Sequence, residues 1–285
     1  MDVAVIGAGR VGTALGVLLA LAGHRIVAAA GRSATPGRVA EHLPGVPVTD
    51  PLTAASRATL SLLAVPDDAI EPVCRALAPG LAPGTWVAHV SGATGLDALV
   101  AAVEVGARRL AVHPLQSVPT VADGLARIPG SAMAVTAEDE EGVELGTRLA
   151  RDVGCRPFRL ADEHRALYHA AAVFASNHLV VTSAAAERLL RAAGIDDPLA
   201  AMLPLQRGTL DNVARLGPVA ALTGPALRGD AGTIARNLAA LTAEAPDEVP
   251  VYVAMARRAL DLAVDAGRLD RDARAAVEDV LRRWR

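Results

Sequence analysis

The chain has 285 residues, of which 52% are hydrophobic and only 2% aromatic, with a formal net charge of -3. That length suits two domains of roughly 100–200 residues each, and the charge balance excludes nucleic acid and an anionic membrane as natural partners. All 28 basic residues are Arg and none is Lys, which excludes a catalytic lysine or a Schiff base. Cys74 and Cys155 stand far apart without a neighbour at zinc-ligand spacing, so a reduced, cytoplasmic setting is expected. The first strand starts within two residues of Met1, so no signal peptide is expected. Apolar runs are interrupted by Arg, Asp or Pro before ~18 residues, so no transmembrane span is expected.

Residues 3–6, Val-Ala-Val-Ile, predict a short strand buried on both faces. Gly7, Gly9 and Gly12, with Arg10 and Val11 between the last two, follow at the spacing of the dinucleotide fingerprint. Gly7 allows the tight turn, Gly9 lacks the Cβ that would keep a pyrophosphate from the backbone, and Gly12 lets a helix pack closely on the sheet. The helix over 13–22 turns its free N–H groups and positive dipole end toward that phosphate site. A bare GxGxxG is weak, but this one follows a strand, opens a helix and precedes a second strand over 25–30. At the end of that strand, where an NAD-binding chain places Asp or Glu against the ribose hydroxyl, stand Gly31, Arg32 and Ser33. A cation and a hydroxyl suit a 2′-phosphate, with Arg38 as a second cation, so the cofactor is expected to be NADP(H).

A Pro/Gly-rich connection leads to a short third strand near Val48. A fourth strand covers 59–65 and ends at Val65-Pro66-Asp67-Asp68, at the edge where ligands of open α/β sheets collect; Asp67 or Asp68 is expected to cap the helix over 69–77. A fifth strand over 85–90 is followed by Ser91-Gly92-Ala93-Thr94-Gly95. A sixth over 109–112 ends in His113-Pro114-Leu115-Gln116-Ser117, and a last strand over 131–136 is covered by a helix over 138–153. Alternating strands and helices predict an α/β doubly wound Rossmann sheet over residues 1–160. From residue 161 to 285 the pattern is all-α. One helix of about thirty residues is expected over 162–193, then others over 196–216, 230–241, 247–266 and 270–284, each beginning at an Asp that can cap it.

On the long helix, His169 and Ser176 lie about 20° apart on one stripe, Asn177 about 80° from His169, and His178 on the opposite face. A polar row among Ala, Val and Phe must be hydrogen-bonded, either to a substrate or to packed helices. His89, His113, His169 and His178 lack short ligand spacing, and no metal site is expected.

Gly7–Gly12, the His113–Ser117 run, Tyr168-His169-Ala170-Ala171-Ala172-Val173-Phe174-Ala175-Ser176-Asn177 and the Leu222–Asp230 run together resemble a bacterial family of oxidoreductases. Its members pair a Rossmann-like domain with a C-terminal domain of unknown function. The wider group it resembles includes 6-phosphogluconate, 3-hydroxyisobutyrate and prephenate dehydrogenases, ketopantoate reductase and pyrroline-5-carboxylate reductase. The resemblance implies an NADPH-dependent reductase of a small carboxylated carbonyl substrate, with ketopantoate as the leading guess; the long Ala-rich helix invites a two-fold partner, so a homodimer is expected. Asn177 matches an Asn of the hydroxyacid dehydrogenases, but their catalytic Lys position is Val173 here. The proton must then come from another group: His113, whose His-Pro resembles a prephenate dehydrogenase motif, or His169. Ser91, Gln116, Tyr168 and Ser176 are expected beside the substrate. Arg228 could grip a carboxylate bidentately, and Asp230 is expected to cap a helix. The alternatives are an imine reductase of the pyrroline-5-carboxylate type and a non-catalytic NADP-binding sensor or scaffold.

Overall fold

The computed structural model describes residues 1–284. Seven strands form one sheet: β1 (Asp2–Ile6), β2 (Arg25–Ala30), β3 (Leu60–Leu63), β4 (Trp86–His89), β5 (Arg108–Pro114), β6 (Ala132–Ala137) and β7 (Arg156–Arg159). Their spatial order is β2-β1-β3-β4-β5-β6-β7. All neighbouring pairs are parallel except β5 with β6, where Leu110 faces Ala137 and Pro114 faces Met133. The chain leaves β1 for β2 on one side and returns to β3 on the other, so the strand order reverses beside β1, where such sheets bind ligands.

Alternation along the strands sorts the core into two faces. Val3, Val5, Leu60, Leu62, Trp86 and Ala88 point to the face covered by α1 (Arg10–Leu21), α6 (Val121–Arg127) and α7 (Glu140–Asp152). Ala4, Ile6, Leu63 and Val87 point to the face covered by α3 (Pro51–Ala55), α4 (Asp67–Leu77) and α5 (Val100–Glu104). Short α2 (Thr35–His42) follows β2. Full burial of each large aliphatic side chain, such as Leu60, Leu63 or Ile70, contributes about 1.5–3 kcal/mol. The doubly wound α/β architecture with a helical C-terminal region thus follows the sequence.

Four local expectations are corrected. Val48 makes only a single bridge to Ala29 and no strand, because Pro44 and Gly45 interrupt the approach and Pro47 has no N–H to donate. β7 was not expected: it is an edge strand, Arg-Pro-Phe-Arg, with no buried residue and therefore no apolar run to announce it. Neither Asp67 nor Asp68 caps α4; Pro66 holds the capping position and both acids lie in the first turn, where they favour the helix dipole. The long helix is divided into α8 (Arg165–Ala175) and α9 (Asn177–Ala192) at Ser176, whose backbone departs to φ -123° and ψ -68°. No Pro or Gly marks this break.

The chain divides into two compact units, Met1–Asn177 and the residues from His178 onward. The first therefore reaches past residue 160 to include α8, because the Arg165 side chain is buried and bonded to residues 91, 94 and 136. The second unit contains α10 (Pro198–Leu216), α11 (Pro218–Ala221), α12 (Ala231–Glu244), α13 (Val249–Asp265) and α14 (Arg271–Arg282). Ile234, Leu238, Val253, Leu260, Val277 and Leu281 form its core. Asp197, Asp230 and Asp270 accept the capping bonds of α10, α12 and α14. Asp247 does not cap; it lies in a 3-10 turn, and Asp162 instead accepts from the Leu96 amide at 3.0 Å. No described helix is long and apolar enough to cross a membrane.

Candidate active site

The first part of the site is the turn after β1. Gly7 takes φ +91°, a conformation open to glycine, and its amide and that of Ala8 both donate to the Ala30 carbonyl. A Cβ on Gly7 would lie 2.5 Å from the Ala64 carbonyl oxygen, and one on Gly12 2.3 Å from the Gly7 carbonyl oxygen, so both are locked by packing. Gly9 differs: its Cβ position meets nothing nearer than 3.9 Å. Glycine there leaves space free on the outside of the loop rather than relieving a clash within it. No side chain caps α1 and no acid occupies its first turn, Arg10-Val11-Gly12, so that N-terminus presents unneutralised positive potential.

A cavity of about 370 Å³ opens beside this turn. Gly7, Gly9, Arg32, Arg38, Val65 and Pro66 are among its lining residues, and the described lining includes no Asp or Glu. Arg32 is exposed and Ser33 stands next to it, outside the lining. Arg38 donates through Nη1 to the Ala8 carbonyl at 2.8 Å, tying α2 to the turn. Arg10, Val11 and Gly12 form the first turn of α1 and do not line the cavity. An open glycine, an uncapped helix start and two guanidiniums with no acid fit the pyrophosphate and 2′-phosphate of a dinucleotide.

The second part gathers where β5 ends. A cavity of about 610 Å³ is lined by His113, Gln116, Tyr168, His169, Ser176 and Asn177 together with Ser117 and with Ala, Val and Leu side chains. Six of the residues singled out from sequence thus meet in one place. His113 belongs to β5 itself rather than to the loop after it. Its Nδ1 lies 2.8 Å from the Tyr168 hydroxyl, and its ring meets those of Tyr168 and His169 edge-on, at centroid distances of 5.5 and 6.4 Å. Gln116 is turned to its own loop, accepting from the Ser117 amide at 2.8 Å. His169 Nδ1 is buried and has no hydrogen-bond partner among the described residues.

Electrostatics revise the expectation that His113 donates as an imidazolium near its ordinary pKa. Burial, then the Arg165 cation and His169, push its pKa down to about 4 against a weaker opposing pull from Asp67. The ring is neutral at pH 7. Burial raises Tyr168 to about 12, so its hydroxyl keeps its proton. His89, buried behind the site with its Nε2 3.3 Å from the Gly95 carbonyl, is held neutral with a pKa of about 3, chiefly by desolvation.

Two other expected residues are not among those lining this cavity. Ser91 is buried, and its hydroxyl accepts from the Ala93 and Thr94 amides while donating to Thr94 Oγ1, so it is consumed in its own turn. Arg228 belongs to the second unit, exposed on the loop between α11 and α12; Asp230 beside it caps α12 as expected. Sequence reasoning missed Gly92 and Arg165. A Cβ on Gly92 would lie 2.8 Å from His169 Nδ1 and 3.0 Å from His113 Nε2, so a glycine is needed for the two rings to approach the loop. Only its place in a Ser-Gly run after a strand hinted at this. Among the described residues no group of three His, Cys, Asp or Glu could hold a metal ion.

Comparison with known proteins agrees with this anatomy. Residues 1–114 match the model of a Rossmann-like domain, and residues 131–259 match that of a domain of unknown function, DUF2520. A glycerol-3-phosphate dehydrogenase [NAD(P)+] of Bradyrhizobium sp. is 33% identical over 172 residues, covering 55% of this chain and 51% of that protein. The chain spans about half the length of the curated relatives it matches. Among solved structures, a candidate NADP oxidoreductase from Bacteroides fragilis aligns over 91% of this chain and 98% of its own, with TM-score 0.78 and 24% identity. A reductive aminase from Aspergillus terreus, in complex with NADPH and ethyl levulinate, covers 98% of each chain with TM-score 0.68 and 16% identity. At these identities the likeness is one of fold. The chain is thus similar, in succession, to a Rossmann-like domain and to DUF2520.

Proposed function

We propose that this protein is an NADP-dependent oxidoreductase that reduces the carbonyl of a small carboxylated substrate, with ketopantoate the first to test. The observation that carries the reading is the pairing of two cavities along one sheet edge. The open Gly9 turn and Val65-Pro66 follow β1 and β3, and the His113–Tyr168 pair closes β5, all at the carboxyl ends of parallel strands. The relatives named for NAD(P)-dependent glycerol-3-phosphate oxidation support it over the half of the chain they match.

NADPH held against Gly9, Arg32 and Arg38 would supply the hydride. The protein's own task is the proton. The Tyr168 hydroxyl lies 2.8 Å from His113 Nδ1; in the mechanism proposed the hydroxyl donates, and the hydrogen of the neutral ring then stands on Nε2. That N–H donates to the carbonyl oxygen and passes its proton to the forming alkoxide, while the ring takes the Tyr168 proton at Nδ1. An alkoxide is more basic than a tyrosinate, so the relay runs downhill; a solvent proton then returns to Nε2 as the Nδ1 proton goes back to the Tyr168 oxygen, restoring the starting tautomer. A neutral imidazole in this role needs no lysine. His169, Asn177 and Ser176, which line the same cavity, orient the substrate.

A second reading is favoured by one observation: the described lining of the His113 cavity holds no Arg. A substrate without a carboxylate, such as a cyclic imine, meets no unmatched charge there. NADPH oxidation against a panel of 2-oxo acids and cyclic imines separates the readings. Turnover of a 2-oxo acid supports the first and turnover of imines alone the second. Tight NADPH binding with no turnover of any member rejects both in favour of a nucleotide sensor. We also propose a homodimer. Val180 and Val181 on α9 are 67% and 60% exposed and no α9 residue is buried, so a second copy would cover them; sedimentation as a monomer at micromolar concentration refutes this.

A further inference from the structure

Arg165, in the first turn of α8, is the most deeply buried charged side chain of the first unit, at 1% exposure. A buried guanidinium ordinarily faces a carboxylate, but no salt bridge involves Arg165 among the described residues. All three of its nitrogens are satisfied by neutral oxygens: Nε donates to the Thr94 carbonyl at 2.5 Å, Nη1 to Thr136 Oγ1 at 2.9 Å and Nη2 to the Ser91 carbonyl. Thr136 Oγ1 can accept because it spends its own proton on the Leu160 carbonyl at 2.8 Å. The cation therefore links three segments distant in sequence: the turn after β4, the middle of β6, and α8.

We propose that Arg165 is a positioning residue of the reaction, clamping the Ser91–Thr94 turn to β6 so that Gly92 is held against His113 and His169. The inference rests on the assignment of the His113–Tyr168 pair as the proton source. Its geometry is specific. The two carbonyls that Arg165 grips flank Gly92, and the space a Cβ would take on Gly92 is bounded by His169 Nδ1 and His113 Nε2. Three residues on, Tyr168 carries the hydroxyl that meets His113 Nδ1. One turn of helix thus supplies both the clamp and the ring's partner.

Its charge has a direct consequence. The groups facing His113 are Arg165, Tyr168 and His169 from α8, Asp67 from the start of α4 and His89 from β4. Only Asp67 favours protonation of His113; Arg165 and His169 oppose it, and Arg165 also depresses His89. Asp162 and Asp67 act on Arg165 through space, but neither forms an ion pair with it among the described residues. Neutral acceptors satisfy the guanidinium's hydrogen bonds and leave its positive field acting on the two histidines.

The test uses the full chain without nucleotide or substrate, so it is independent of whether any carbonyl compound is turned over. In Arg165→Met, the imidazole midpoint of His113, followed by NMR, should rise by at least one pH unit, and the Ala93 and Thr94 amides should exchange at least tenfold faster. A His113 midpoint or an amide exchange rate equal to the parent's overturns the proposal, even if the melting temperature falls. A merely structural role would lower that temperature alone. Should Arg165→Met not fold, Thr136→Val removes one acceptor and keeps the cation. Faster exchange at Ala93 and Thr94 then supports the clamp, and parental exchange overturns it. NADPH titration of the same variants reports separately on the nucleotide site.

Discussion

Replacing Gly9 with Val separates binding from folding, because the two glycines three residues apart in the turn do different work. Gly9 sits at φ -80° and ψ -155°, an extended conformation that Val adopts readily, and its Cβ position meets nothing nearer than 3.9 Å. The fold loses only a favourable helix-capping residue, about 1 kcal/mol, equivalent to a fall of about 2–4 °C in Tm. The valine methyl groups, however, occupy the space assigned to a pyrophosphate, so NADPH affinity should drop at least ~100-fold, about 2.7 kcal/mol. Gly12→Ala is the control. Its new Cβ would lie 2.3 Å from a backbone oxygen and 2.9 Å from Ala64 Cβ, so α1 must shift on the sheet, costing about 3 kcal/mol or roughly 6–12 °C. Calorimetry gives Tm, and quenching or enhancement of nicotinamide fluorescence gives Kd. Parental NADPH affinity in Gly9→Val, or an equal loss of Tm in both variants, refutes the reasoning.

Because Arg32 and Ser33 replace the ribose-binding acid, NADPH should bind at least ~tenfold more tightly than NADH, about 1.4 kcal/mol, and Arg32→Asp should erase that ratio; equal parental affinities reject it. His113→Ala should lower kcat by about 10²–10⁴-fold with NADPH affinity nearly unchanged, and kcat within about twofold of the parent excludes the ring from proton transfer. Since His113 stays neutral down to about pH 4, turnover attributable to it should show no inflection near pH 6.5; a bend there counts against a neutral donor. Folded pKa values of about 4 for His113 and about 3 for His89 lie below their unfolded values, so the unfolded chain takes up protons first. Stability should be complete above about pH 6.5 and fall on acidification toward pH 4 and below, by up to about 1.4 kcal/mol per pH unit for each ring. His89→Gln should flatten that fall in urea titrations.

The parts of the molecule legible in the sequence are those where one local pattern decides the outcome. The Val-Ala-Val-Ile run, the three glycines and the strand of residues 25–30 each carry their own periodicity or turn chemistry, and they fold as expected. The His113, Tyr168, His169 and Asn177 cluster was legible as a polar row and a His-Pro turn, although nothing local told that the first two would pair. β7 escaped because an exposed edge strand needs no apolar alternation. The break at Ser176 escaped because neither Pro nor Gly makes it. Nothing local singled out Arg165; its burial depends on carbonyls from residues about seventy positions earlier, which a single sequence does not align. The neutrality of His113 was hidden for the same reason, since desolvation is a property of the packed site.

The reversal between β5 and β6 bears on how this chain can be cut and recombined. The segment that matches the Rossmann-like model ends at residue 114, and the DUF2520 match begins at 131, yet β6 continues the same sheet. A fragment stopping after Pro114 would leave β5 as an open edge, stripped of the five antiparallel register pairs from Leu110 to Pro114. Unpaired N–H and C=O groups on a strand bearing Leu110 and Val112 invite edge-to-edge association. The fragment should therefore aggregate, and a graft that respects the fold must move β6, β7 and α8 with the nucleotide half.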